Sequence, residues 1–339
     1  LTKKLALMLA AVLLTLAGAE MALRVAGYRA YATPVVVRGE ASESVEGVEA
    51  IVPDPRLIWR FKPGAMFNGR RINSLGHIGR EVDPVKQPGV RRVICMGDSC
   101  SGQGMPPYSG YLHRMLTNAP PTSEPWEAFN MAVHGYSVLQ GLRLFQIRGR
   151  ELKPDIVTLY FGWNDHWLRD RPDRNQMAVE LHPLTARVLV RLQRFRIFQL
   201  IASAVRPGRL ALSHGNKGHI RVPIEDYETA LVEFIREIRA VGATPLLITA
   251  PRAEKLSAML VHNGQAESVE EAQRLHDLYV ETGRRVAREH DVLLLDLAAI
   301  FSGPGHPHLF SRDGIHFTTE GLLRVAEELY AKIKAIEPR

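Results

Sequence analysis

Cysteine is nearly absent: Cys95 and Cys100 are the only two in 339 residues. That count fits no metal framework. The two flank a short turn, where side chains diverge, so they are expected to be small buried thiols and not a disulfide. Nucleotide signatures are also missing. Gly97, Gly102 and Gly104 do not match the dinucleotide fingerprint, no acidic residue ends the second apolar run, and no Gly-Lys-Ser/Thr follows a glycine-rich loop. A net charge of +7 comes largely from arginine and suits anionic surfaces. No zinc-finger or RNA-binding motif accompanies it, so no nucleic-acid partner is expected. No internal repeat, low-complexity tract or distinctive carboxylate pair for glycosidase chemistry is evident.

One long apolar run is present, at the N-terminus. Lys3-Lys4 precede Leu5–Ala19, Glu20 interrupts, and Met21-Ala22-Leu23 resumes before Arg24. Basic residues before an apolar run mark export. The segment, taken as residues 1–30, reads as a signal or anchor helix, with the bulk of the chain on the outer side of an inner membrane. Ala17-Gly18-Ala19 offers a cleavage site; an uncleaved anchor would continue to about Ala26, since a span needs ~20 residues. Glu20 and Arg24, four apart, are placed to pair near the interface.

Residues 31–90 read as an extension with short apolar runs, among them Leu57-Ile58-Trp59 and Ala65-Met66-Phe67. From Arg91 to about residue 337 the rhythm changes. Val93–Met96, Phe129–Val133, Ile156–Phe161, Pro245–Ile248 and Val292–Leu295 are apolar runs without strict alternation, as in strands covered on both faces. Helical stripes separate them, at Tyr108–Leu116, Tyr227–Val241, Ala272–Val286 and Leu322–Ile336. The alternation predicts an α/β fold with a parallel, doubly wound five-stranded sheet, whose ligand site lies beyond the carboxyl ends of the strands. A helical insertion at about 166–221 breaks the pattern. In it Leu184, Val188, Leu192 and Phe195 form an apolar face beside Arg187, Arg191 and Arg194. It is either a packed helix with solvated arginines or a lid or membrane-facing element.

The chemistry-bearing residues fall at the expected strand ends. Ser99 closes the first strand at Gly97-Asp98-Ser99, where α/β enzymes place nucleophiles. Serine needs a base within hydrogen-bond reach, and Asp313-Gly314-Ile315-His316 offers one. A carboxylate three residues back can hold Nδ1 and leave Nε2 free for the serine proton. The Ser99 N–H, the Gly135 N–H and the Asn164 side chain are candidate donors to an oxyanion. Each residue also has a plainer reading: Ser99 as a helix cap, Gly135 as a turn glycine, Asn164 as a loop cap, Asp313 and His316 as caps of the last helix. His134, His166, His306 and His308 lack the spacing of metal ligands and are expected to be exposed or to support the site from behind.

These segments resemble the SGNH (GDSL-type) hydrolase family. The matching blocks are Gly97-Asp98-Ser99, Asn130 to Tyr136, Gly162-Trp163-Asn164-Asp165 and Asp313–His316, in the family's order, from about Arg91 onward. The extension, with Ile72-Asn73-Ser74-Leu75-Gly76 and Gly79-Arg80-Glu81, is similar to that of envelope-associated members. The resemblance implies a three-layer α/β/α flavodoxin-like fold; from the cysteine count and histidine spacing, no metal and no cofactor are expected. The resemblance further implies Ser99 as nucleophile and oxyanion donor, Gly135 and Asn164 as oxyanion donors, and His316 as base oriented by Asp313. Ser101 stands where the family often has threonine, and Gln103, flanked by Gly102 and Gly104, where it has glycine. Asp98 is expected to anchor that turn. The expected function is a serine ester hydrolase of the cell envelope, acting on a small-molecule, glycan or lipid ester. An O-acyltransferase with the same triad and an inactive binding protein are the alternatives.

Overall fold

The computed structural model describes residues 2–28, 50–169, 171–177, 188, 191–192, 195–205, 218–303 and 305–336. Leu184, Arg187 and Arg194 of the expected amphipathic face lie outside the described residues.

The first helix, α1 (Thr2–Val25), is apolar along its length, with mean hydropathy 2.1 over Lys3–Val25. It is long and apolar enough to act as a signal peptide or a signal anchor. Two small antiparallel ribbons follow, β1 (Ile51–Asp54) with β2 (Ile58–Phe61), and β3 (Met66–Phe67) with β4 (Arg70–Arg71). The sheet begins at β5 (Arg91–Gly97). The short α2 (Ser99–Gly102) and α3 (Tyr108–Asn118) lead to β6 (Trp126–Asn130), and α4 (Val138–Ile147) to β7 (Ile156–Tyr160). Within the insertion, β8 (Leu168–Arg169) pairs with β9 (His219–Ile220), and α5 (Arg196–Val205) lies between them in sequence. Then come α6 (Ile224–Ala240), β10 (Thr244–Ile248), α7 (Met259–His262), α8 (Val269–Glu289), β11 (Leu293–Leu295), α9 (Leu297–Ile300) and α10 (Thr319–Ile336).

The central sheet is parallel and five-stranded, ordered β11-β10-β7-β5-β6. Counting its strands from β5, that is the flavodoxin-like order 2-1-3-4-5, whose switch point lies between β5 and β7. Every residue of β7 is buried, as apolar cover on both faces requires. Register sets Cys95 opposite Asn130 and Gly97 opposite Tyr160, so the segments leaving β5, β6 and β7 emerge side by side. One apolar cluster holds Met96, Phe129 and Phe161 against α4 and α6; the other holds Val93, Cys95 and Leu246 against α3 and α10. Both cysteines are buried and form no disulfide, and Cys100 Sγ donates to the Ile315 carbonyl.

Two expectations shift. The second strand starts three residues earlier than Phe129 and stops at Asn130, whose Oδ1 accepts from Ala132 N and whose Nδ2 donates to the Ile78 carbonyl. The next residues, Met131-Ala132-Val133, are buried and stay tied to β5 without being strand, Met131 N and Val133 N donating to the Cys95 and Gly97 carbonyls. The helix α4 is absent from the sequence reading. Gly141 weakens its helical signal, and is there because a Cβ at that position would collide with the Phe161 ring. Its start is sharp, with a capping box between Ser137 and Gln140.

The extension is not a separate body. Ala50, Leu57, Phe61, Phe67, Ile72, Ile78 and Val82 belong to the same apolar cluster as Met96 and Phe129. Asn73 ties its turn together, accepting from Leu75 N and His77 N and donating to the Arg80 carbonyl.

Candidate active site

The loop after β5 makes one helical turn. Asp98 caps it, its Oδ1 accepting from Cys100 N at 2.9 Å, and Gly102 N and Gln103 N donate to the Asp98 and Ser99 carbonyls. Ser101 and Gln103 leave this turn intact: Ser101 Oγ accepts from Tyr108 OH, and Gln103 Nε2 donates to the Phe317 carbonyl. Gly97 is required just before it, since a Cβ would fall 2.8 Å from the Tyr160 carbonyl oxygen and closer still to Ser101.

Ser99 Oγ lies 2.8 Å from His316 Nε2, across 217 residues of chain. His316 Nδ1 lies 2.5 Å from Asp313 Oδ2, while Asp313 Oδ1 accepts from the N–H groups of Ile315 and His316. Gly314, at φ 76°, lets the loop turn back on itself, and a Cβ there would strike the Lys255 carbonyl. Burial opposes ionisation of Asp313. The His316 hydrogen bond and charge and the two N–H donors outweigh it, and hold the carboxyl down at about 2. Ser99 and His316 are buried, 3% and 7% exposed.

Asn164 follows β7 and is 1% exposed. Its Nδ2 donates to Asp98 Oδ2 at 3.0 Å, so Asp98 anchors both its own turn and the neighbouring loop. Burial pushes the Asp98 carboxyl up to about 6, against the pull of the Cys100 N–H, His316 and Asn164. Asp165 does for the β7 loop what Asp98 does for the β5 loop, accepting from Val138 N at 2.8 Å and Gly162 N at 2.9 Å. Gly135 sits at φ 78° after β6, in a loop tied to β5 by Val133 N donating to the Gly97 carbonyl. Neither the Ser99 nor the Gly135 N–H has an acceptor among the described residues.

Thus the structure joins Ser99, His316 and Asp313 directly and Asn164 through Asp98. It leaves two main-chain donors open at adjacent strand ends. Such an arrangement can deprotonate a serine hydroxyl and offer donors to a developing oxyanion.

A comparison with protein families covers the same stretch of chain. The pattern of the GDSL-like Lipase/Acylhydrolase family matches residues 95–322. The chain belongs to this family. Among solved structures, the lipase/acylhydrolase from Enterococcus faecalis is 18% identical, over 74% of this chain and 98% of that one, with a TM-score of 0.49. The acetyl xylan esterase AlAXEase is 18% identical, over 73% and 100%, at 0.46. An acetylxylan esterase from Geobacillus stearothermophilus is 16% identical, over 72% and 94%, at 0.45. No curated protein matches the chain.

The other histidines of this GDSL-like hydrolase fall in several surroundings. His134 packs against the Phe61 and Phe67 rings, and burial lowers its pKa to about 3. His166 faces His276 at 3.3 Å behind Trp163, which stacks on the His276 ring. His308 pairs with Glu320 at 3.5 Å. Sequence reasoning missed Arg221 altogether. This side chain, 1% exposed, pairs with Asp173 and donates to the Gly135 carbonyl at 2.7 Å and to Gln140. Its partners lie 48 to 86 residues away, beyond any local spacing rule.

Proposed function

We propose that this GDSL-family hydrolase cleaves an ester through an acyl-enzyme at Ser99. The hydrogen-bonded series from Ser99 Oγ to His316 to Asp313, at 2.8 and 2.5 Å, carries the reading. As Ser99 Oγ bonds to the ester carbon, its proton passes to His316 Nε2 and the carbonyl electron pair moves onto oxygen. The Ser99 and Gly135 N–H groups and Asn164 Nδ2 receive that charge. The pair then returns, the carbon–oxygen bond to the leaving alcohol breaks, and the alcohol takes the proton from His316. Water repeats the sequence on the acyl-enzyme. Asp313, held ionised at about 2, stabilises the imidazolium throughout.

For the substrate we propose an acetyl or other short acyl ester of a glycan. An open cleft of about 910 Å³ is lined by the polar side chains of Arg252, Asp277 and Ser302 and by the apolar ones of Val280, Phe301 and Phe310, among others. It adjoins the histidine loop, where Ala253 N donates to the Gly314 carbonyl. Polar groups of this kind suit sugar hydroxyls better than acyl chains. We place the enzyme at the envelope, with α1 as its anchor. The insertion helix α5 meets α1, Ile197 N donating to Glu20 Oε2 while Glu20 pairs with Arg24 at 2.8 Å. We take residues 91–337 as the hydrolase domain.

A fluorophosphonate probe tests the chemistry. The wild-type protein should label and Ser99→Ala should not, with turnover of p-nitrophenyl acetate down by roughly 10³-fold or more. A folded wild type that never labels would support a binding role. Acetate release from an acetylated glycan, compared with fatty-acid release from a phospholipid and with acyl transfer to an added alcohol, then separates the substrate classes.

A further inference from the structure

We propose that Trp59, from the extension, is a positioning residue for the oxyanion site, an inference that rests on the role given above to the Gly135 N–H. The His134–Gly135 peptide presents its N–H to the site. The carbonyl of that same peptide accepts from Trp59 Nε1 at 3.3 Å. In a trans peptide the C=O and N–H point in opposite directions, so a donor that fixes the oxygen aims the N–H the other way. A donor on the carbonyl also polarises the peptide and strengthens its N–H as a donor in turn.

The indole is itself held on several sides. Its ring lies 5.5 Å from the Arg221 guanidinium and edge-on to Tyr136, with centroids 5.7 Å apart, and the Tyr136 hydroxyl donates to the Trp59 carbonyl at 2.7 Å. Arg221 donates to the next carbonyl, that of Gly135. Two successive carbonyls are therefore fixed by donors from opposite sides of the sequence, one before the sheet and one at the end of the insertion. Between them Gly135 keeps a left-handed φ that other residues adopt with difficulty.

The backbone leading to Trp59 is strained. Ile58 has φ 64°, unusual for a β-branched residue. The turn Leu57-Ile58-Trp59 is closed by Trp59 N donating to the Leu57 carbonyl, and Gln140 Nε2 holds the same carbonyl at 2.7 Å. Strain of this kind persists only where surrounding contacts over-determine it. Here those contacts come from α4 and from Tyr136 of the oxyanion loop.

The test separates the indole N–H from the indole ring. Trp59→Phe removes both the N–H and part of the ring; replacement of Trp59 by 3-benzothienylalanine removes only the N–H. On p-nitrophenyl acetate both variants should lose about tenfold in kcat, less than the roughly 10²–10³ for deleting an oxyanion donor outright. KM and the pH midpoint of the rate should stay unchanged. The inhibition constant of phenylboronic acid, whose tetrahedral adduct places an oxygen in the site, should rise by a similar factor. Wild-type kcat and boronate affinity in the benzothienyl variant would overturn the proposal and leave Trp59 a packing residue. A parallel fall in kcat with a changed KM or a shifted pH midpoint would overturn it too, since that reports a general disturbance. If the underlying reading of the site is wrong, the failure appears earlier, as wild-type esterase activity that Ser99→Ala does not remove.

Discussion

Asn164→Ala gives the sharpest single test of the oxyanion site, because its effects on rate and on stability have separate structural origins. The rate effect follows from charge. In the proposed mechanism Asn164 Nδ2 is offered to an oxygen that is negative only in the transition state, so the variant should lose about 2.7–4 kcal/mol of transition-state stabilisation, or 10²–10³ in kcat. KM should hardly move, because the ground-state carbonyl gains little from the donor. The stability effect follows from Asp98. Its Oδ2 accepts from Asn164 Nδ2 at 3.0 Å in fully buried surroundings, and leaving that acceptor without a partner costs about 1–3 kcal/mol. Steady-state hydrolysis of p-nitrophenyl acetate and urea unfolding would be run side by side, at a temperature where both proteins are folded. Adding Asn164→Ala to Ser99→Ala should bring little further loss of activity, since groups that act as a unit are not additive. A variant that loses stability yet keeps kcat within about threefold of wild type would refute the assignment. Asn164 would then be only the clamp on Asp98.

Two further substitutions follow from the loop after β5. Gly97→Ala should destabilise by about 1–3 kcal/mol, because the new Cβ would sit 2.8 Å from the Tyr160 carbonyl oxygen of the neighbouring strand. An unchanged urea midpoint would contradict that approach. Asp98→Asn should alter the pH dependence of stability. The Asp98 carboxyl rises from its unfolded value to about 6 through burial, so its contribution is present in full below about pH 4 and lost as pH rises through 6. Asparagine carries no such term. The variant's stability relative to wild type should therefore improve between pH 5 and pH 8, by roughly 1 to 1.5 kcal/mol. A difference independent of pH, read from thermal melts, would sink this account.

Much of the site was legible because its parts are local. Asp313 and His316 share one turn, Asp98 caps the helix it precedes, and each of Ser99, Gly135 and Asn164 follows a buried strand that its own composition announces. Parallel topology then gathers those ends. What stayed hidden depends on contacts no spacing reveals. Trp59 and Arg221 reach the His134 and Gly135 carbonyls from 75 and 86 residues away. The β6 boundary lies at Asn130, whose side chain accepts from Ala132 N and donates across to the extension, contacts that the apolar run continuing past it does not announce. α4 was obscured by Gly141, a residue chosen by the Phe161 ring it packs against and not by helix propensity.

The shared core has a consequence for how the chain is made. Residues 50–82 are synthesised before the sheet, yet Phe61 and Ile72 are buried in one cluster with Phe129, Tyr136 and Phe145. Residues 50–82 therefore cannot complete their fold until β6 and α4 have been made, and Trp59 waits longer still, for Arg221. This stretch, made before the sheet, is thus among the last to settle. During that interval its apolar side chains stand exposed to whatever handles the nascent chain.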